Sequence, residues 1–106
     1  MTITEAKKGS WLVLALTERL DTQTAPELEK EAMGKLTQGC KLALDLTELD
    51  YISSAGLRVL LMLMKKAKPQ GGNVVLVGTS GMVREVIEES GIDSFFDFYE
   101  KAEALP

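Results

Sequence analysis

The sequence predicts a single α/β domain. The expected architecture is a four- to five-stranded, mostly parallel (mixed) sheet with an antiparallel N-terminal edge strand and three to four helices. Three observations predict it. Apolar segments of strand length alternate with segments whose apolar residues recur at helical spacing. Strands separated by helices pair in parallel through right-handed crossovers. The length of 106 residues suits one domain (1–106), and 45% hydrophobic residues suffice for an ordinary core.

Each element has its own warrant. Thr2 to Lys7 alternates weakly and reads as a short edge strand, followed by a Gly9-Ser10 turn. Trp11 to Leu16 is a continuous apolar run, suited to a strand buried on both faces. A helix is expected from about Thr24, which has capping-box spacing to Glu27 and Pro26 in the first turn. Its apolar stripe is Ala25, Leu28, Ala32 and Leu36, and Gly39 is the expected stop. Lys41 to Leu46 alternates, with Leu42, Leu44 and Leu46 on one face and Ala43 and Asp45 on the other. Thr47 to Ser54 reads as the loop that follows. Gly56 to Lys66 reads as a helix with a core stripe of Leu57, Leu60, Leu61 and Met64, widened by Val59, Met62 and Leu63. Pro69 and Gly71-Gly72 end it, and Asn73 to Val77 is a short buried strand. Ser80 is placed to cap a third helix that packs Val83, Val86 and Ile87 inward and stops at Gly91. Phe95 to Tyr99 suits a last edge strand, and Glu100 to Leu105 a helical tail.

Composition excludes several chemistries. Without histidine there is no Ser-His-Asp triad, no Cys-His pair and no imidazole base. Cys40 is the only thiol, so no intramolecular disulfide and no cysteine–histidine zinc site can form. A net charge of −4 argues against nucleic acid as a partner. The N-terminus lacks the apolar core of a signal peptide. The longest apolar runs, Trp11–Leu16 and Val59–Met64, are far short of the ~20 residues that span a bilayer. A cytoplasmic domain without membrane attachment is expected. The charge is divided: Tyr51 to Arg84 carries five bases and no acid, whereas Glu85 onward carries seven acids and one base. Such blocks solvate helix faces, and Lys65, Lys66 and Lys68 suit a helix C-terminus. They also suit an electrostatic surface for a protein partner.

Sites in parallel sheets lie where strands run into helix N-termini. Two loops qualify. Gly78-Thr79-Ser80-Gly81 lacks the lysine and spacing of a P-loop, and Ser80 there reads as a cap. The loop ending Ser53-Ser54-Ala55-Gly56 places two hydroxyls just ahead of a helix. One can cap the first turn. A serine there is also suited to phosphorylation, since a gain of about −1.5 to −2 in charge meets the positive helix end. A partner matched to the neutral hydroxyl would then be repelled.

Tyr51-Ile-Ser-Ser-Ala-Gly-Leu-Arg-Val-Leu60, preceded by Asp45-Leu46, closely resembles the signature of bacterial anti-sigma factor antagonists, within the STAS domain family. Arg19-Leu20-Asp21, Thr24 to Leu28, Gly72 to Gly78 and Val86 to Ile92 extend the resemblance over nearly the whole chain. The resemblance implies a non-enzymatic switch without cofactor or metal. The unphosphorylated form binds an anti-sigma factor that is also a serine protein kinase, and so frees the sigma factor. Phosphorylation at the start of the second main helix separates the pair, and a metal-dependent serine phosphatase resets it. By position the acceptor is Ser54, with Ser53 as its competitor, because this chain has Ser53 where several members have aspartate. The resemblance places Asp21 beside the phosphosite as a partner contact; its other reading is a turn or cap residue. Asp45 is expected to hold the phosphosite loop through hydrogen bonds to loop N–H groups. Gly56 belongs to the motif. Arg58, with Val59 and Met62, suits a docking face, although Val59 and Met62 also suit the core. Two other readings are a receiver-like phosphocarrier, with Asp50 or Asp45 as acceptor, and a STAS module that senses a small ligand.

Overall fold

The order of strands decides where the helices can lie. The computed structural model describes residues 1–106. The chain runs β1 (Ile3–Lys8), β2 (Trp11–Leu20), α1 (Ala25–Met33), β3 (Lys41–Ile52), α2 (Ser54–Ala67), β4 (Asn73–Val77), α3 (Gly81–Ser90) and β5 (Phe98–Tyr99). Single 3₁₀ turns occupy Lys68–Gln70, Ile92–Phe95 and Ala102–Ala104. The sheet order is β1-β2-β3-β4-β5, with β1 antiparallel to β2 and every other pair parallel. Each crossover steps one strand in the same direction. Right-handed crossovers then place all three helices on one face.

The buried residues follow that asymmetry. The main core joins Leu14, Leu16, Leu42, Leu44 and Leu76 of the sheet to Leu28 of α1, Leu60 and Leu63 of α2 and Ile87 of α3. A smaller cluster on the opposite face holds Trp11, Val13, Ala43, Val75 and Val77. No helix covers it. The C-terminal segment crosses it instead, packing Tyr99 and Leu105 against the cluster. The Trp11 indole donates to the Pro106 carbonyl at 3.0 Å, and Lys8 pairs with Glu103 at 3.9 Å. Trp11–Leu16 is therefore buried on both sides, as its continuous apolar run predicts.

Both long strands outrun their sequence signal. Expected ends at Leu16 and Leu46 become Leu20 and Ile52, so most of the expected Thr47–Ser54 loop is strand. The reason is two bulges. Pairing jumps from Ala15↔Asp45 to Thr17↔Glu48, then from Glu18↔Leu49 to Arg19↔Tyr51, leaving one extra β3 residue each time. Each bulge resets the alternation, so Leu46, Leu49 and Ile52 all join the helix-side core at three-residue spacing. A period of three does not read as a strand. Glu18 takes up the distortion on β2 with φ +67, a left-handed value that is rare outside glycine.

Helix ends differ as well. α1 stops at Met33, short of Gly39, because Gly34 follows and the chain tightens into i→i−3 bonds from Lys35 and Leu36. Leu36 still reaches the core from that turn. α2 starts at Ser54 and not Gly56, and its buried line is Val59, Leu60, Leu63 and Met64, with Leu57 and Leu61 half-buried. The expected stripe is thus rotated, because Gly56 lets the first turn sit directly against β2. β5 is only Phe98–Tyr99, since Ile92–Phe95 is taken by a 3₁₀ turn, and the tail is 3₁₀ only at Ala102–Ala104.

If the tail seals the open face, Leu105→Asp should destabilise the fold by about 1–2 kcal/mol by placing a charge on apolar surface. Urea unfolding followed by the single tryptophan, Trp11, reads this directly. An unchanged midpoint and unshifted emission would show that the tail contributes nothing.

Candidate functional site

The site is built where β2 ends beside the β3–α2 junction. The Leu20 carbonyl accepts the Ser53 N–H at 2.9 Å, which ties the last residue of β2 to the residue before α2. A Cβ on Gly56 would meet that same carbonyl oxygen at 2.8 Å, Ile52 Cγ1 at 2.8 Å and Leu20 Cγ at 2.9 Å. Only glycine allows the first turn of α2 to lie this close.

The two serines are held differently. Ser53 has an extended backbone and is the N-cap, its Oγ accepting from the Gly56 N–H at a long 3.5 Å. Ser54 is the first residue of α2, its side chain exposed and outside every hydrogen bond of the molecule. No acidic residue lies in the first turn. The free hydroxyl therefore stands at the positive end of a 14-residue helix with no negative charge in that turn. Arg58 follows one turn later, exposed and in no ion pair.

Asp21 organises the neighbouring loop. Its Oδ1 accepts from the Gln23 N–H at 3.0 Å and the Thr24 N–H at 3.1 Å, and its Oδ2 pairs with Arg19 Nε at 3.3 Å. These bonds, that of the Thr24 N–H foremost, hold its carboxyl below the usual carboxylate range. The expected capping box is absent. Thr24 has helical dihedrals and turns its hydroxyl back, accepting from the Asp21 N–H and donating to the Arg19 carbonyl. Asp21 is thus a turn residue that remains part-exposed beside the junction.

Arg19 and Tyr51 complete the cluster, with the guanidinium 4.2 Å above the ring centroid. Sequence reasoning gave neither a role of its own. Their pairing depends on the two bulges, which no local pattern announces.

Asp45 lies elsewhere. It is half-buried on the sheet face away from the helices and accepts from the Thr47 N–H at 3.0 Å and the Thr47 hydroxyl at 2.5 Å. Its hydrogen bonds hold the first bulge and not the Ser53–Ser54 loop, from which about 20 Å of strand separates it. Thr47 in turn abuts Gly78, whose left-handed φ of +71 and lack of a side chain leave room for it. Gly78 is thus committed to packing, and Ser80 holds the N-cap position of α3 although its hydroxyl does not make the expected cap hydrogen bond. Asp50 is exposed at the second bulge, and no three acidic, cysteine or histidine residues cluster to hold a metal ion. The sheet order also differs from the 2-1-3-4-5 of receiver-type folds, which carry helices on both faces.

The STAS domain family model matches residues 2–105. The chain belongs to the STAS domain family. BtrV of Bordetella bronchiseptica, described as a candidate anti-sigma factor antagonist, is 38% identical over 105 residues, covering 98% of this chain and 90% of BtrV. Among solved structures, a Thermotoga maritima protein described in the same terms superposes with TM-score 0.86 at 22% identity, covering 93% of this chain and 86% of that one. The anti-sigma factor antagonist SpoIIAA in its unphosphorylated form gives 0.80 at 20% identity, covering 97% and 92%. SpoIIAA has also been solved in the phosphorylated form, which gives 0.73 at 19% identity, covering 97% and 96%. These relatives are regulatory proteins and not enzymes. No helix of this STAS domain is long and apolar enough to cross a membrane.

Two outcomes test the frame of the site. Gly56→Ala should cost about 1–3 kcal/mol by overpacking, outweighing the ~1 kcal/mol that alanine adds to helix propensity. Thermal unfolding measures it, and a stabilised variant would contradict the close contact. Asp21 has a lowered folded-state pKa, so its contribution to stability is full above the unfolded value near 3.8 and is lost as pH falls through the folded value. Asp21→Asn should remove that part of the acid sensitivity. Parallel stability–pH profiles for variant and wild type would contradict it.

Proposed function

We propose that this STAS domain is a cytoplasmic anti-sigma factor antagonist that works by partner switching. The unphosphorylated chain binds an anti-sigma factor that is also a serine kinase, and the sigma factor is released. The kinase transfers the γ-phosphoryl group of ATP to Ser54, the hydroxyl proton leaves, and the complex separates. A metal-dependent serine phosphatase restores the hydroxyl. The chain itself carries out no chemistry and needs no cofactor.

The observation that carries this reading is the state of Ser54. Its hydroxyl is exposed, unbonded and at the first position of α2, whereas the Ser53 hydroxyl is engaged as a cap. A phosphate on Ser54 adds about −1.5 to −2 charge where the helix has free N–H groups to receive it. The fold tolerates that charge. A partner surface fitted to the neutral hydroxyl does not, and the part-exposed Asp21 carboxylate beside the junction adds to the negative field. Relatives named anti-sigma factor antagonists support the same assignment.

The test uses the purified kinase with ATP and magnesium. Wild type and Ser53→Ala should each take one phosphate, and Ser54→Ala should take none while still binding the kinase. Ser54→Asp should bind on the order of tenfold or more weakly. Full phosphorylation of Ser54→Ala, or a phosphate with the lability of an acyl phosphate, overturns the assignment.

A further inference from the structure

Beside the switch serine, α1 and α2 leave a groove of about 550 Å³ between them. Its apolar lining includes Val59, Leu61 and Met62 of α2, with the exposed Pro26 on the α1 side. This is where the apolar excess of α2 goes. Val59 is buried by its neighbours, but Leu61 and Met62 remain half-buried and face the groove. Arg58 and Lys65 stand exposed on the α2 lip, and Glu29 stands exposed on the α1 lip. None of the three takes part in an ion pair within the molecule. Of the twelve lysines and arginines only Lys8, Arg19, Lys35 and Arg84 are paired, so what marks the groove is the placement of its charges, opposite in sign across one apolar trough.

An open apolar trough with unpaired charges of opposite sign on its two lips fits an amphipathic helix laid between them. The spacing adds detail. Arg58 and Lys65 are seven residues apart, so they lie about 10 Å apart along α2. We infer that the groove receives an amphipathic helix of the partner kinase, with two acidic residues about two turns apart along the flank facing α2, a basic residue facing Glu29, and apolar side chains between. This rests on the switch reading given above and names the partner's docking element. Ala55 lines the mouth of the groove and adjoins Ser54, so a helix seated there brings its end to the switch hydroxyl. Docking and switching would then share one surface.

The experiment measures the affinity of the kinase that phosphorylates Ser54 for four forms of the unphosphorylated chain. Arg58→Glu/Lys65→Glu should bind on the order of tenfold or more weakly, and Glu29→Lys should also bind more weakly. Lys7→Glu/Lys101→Glu makes the same charge change at exposed positions outside the groove and should bind as the wild type does. Unaltered circular dichroism and Trp11 emission show that the folds are intact. With benzoylphenylalanine in place of Met62, light should cross-link the chain to a helical segment of the kinase bearing the spaced acids. Wild-type binding that the groove variants retain in full overturns the groove and leaves the switch standing. Saturable binding of dodecanoate that the Arg58/Lys65 variant abolishes, with kinase binding unaltered, replaces the helix by a small anionic amphiphile. Failure of any kinase to bind the wild type overturns both readings.

Discussion

The carbonyl oxygen of Leu20 fixes where α2 can begin. It accepts the Ser53 N–H, and Gly56 brings the first turn of the helix against it. With the strand end and the helix start tied at one atom, Ser54 has little freedom to move relative to the sheet. Arg19 and Asp21 flank Leu20, so the same tie sets the loop beside the serine. The proposed switch, which works by changing the charge of one hydroxyl, needs this rigidity. In that proposal the partner reads a difference of charge at a defined position, which a mobile serine would blur.

The one-sided layering divides the domain into two roles. All three helices lie on one face, and their packing with β2, β3 and β4 makes the main core. The other face is sealed by the last residues of the chain around Trp11. Asp45, Thr47 and Gly78 serve this second face and the bulge, not the switch. The helix side therefore presents Ser54, the basic stretch of α2 and the α1–α2 groove together. In the proposed switch the chemistry is performed by other proteins, and the lack of histidine is compatible with that proposal.

Much of the fold was legible because segments of period two alternate with segments of helical period, and one crossover rule turns that order into a layered sheet. The antiparallel first strand followed from the Gly9-Ser10 turn. The bulges were not legible. They convert Leu46, Leu49 and Ile52 to a spacing of three and hide the second half of β3, and with it the Arg19–Tyr51 contact. That Ser53 and Ser54 lie at a helix start was legible from the motif, but not that Ser54 is already in the helix and Ser53 caps it, since that depends on the extended dihedrals of Ser53. Thr24 failed as a capping box for a similar reason: the Asp21 turn claims its hydroxyl. The tail's sequence suits a helix, but its packing partner, the Trp11 face, is distant in sequence, and only Ala102–Ala104 forms a 3₁₀ turn.

The central claim is that phosphorylation changes charge at the start of α2 without changing the fold. Amide spectra and hydrogen exchange, recorded before and after stoichiometric phosphorylation, test it most directly. The account predicts resonance changes confined to the Arg19–Thr24 loop and the Tyr51–Arg58 junction, with exchange protection of β2, β3 and β4 unaltered. Resonance changes spread through the sheet, or lost protection in those strands, would contradict it.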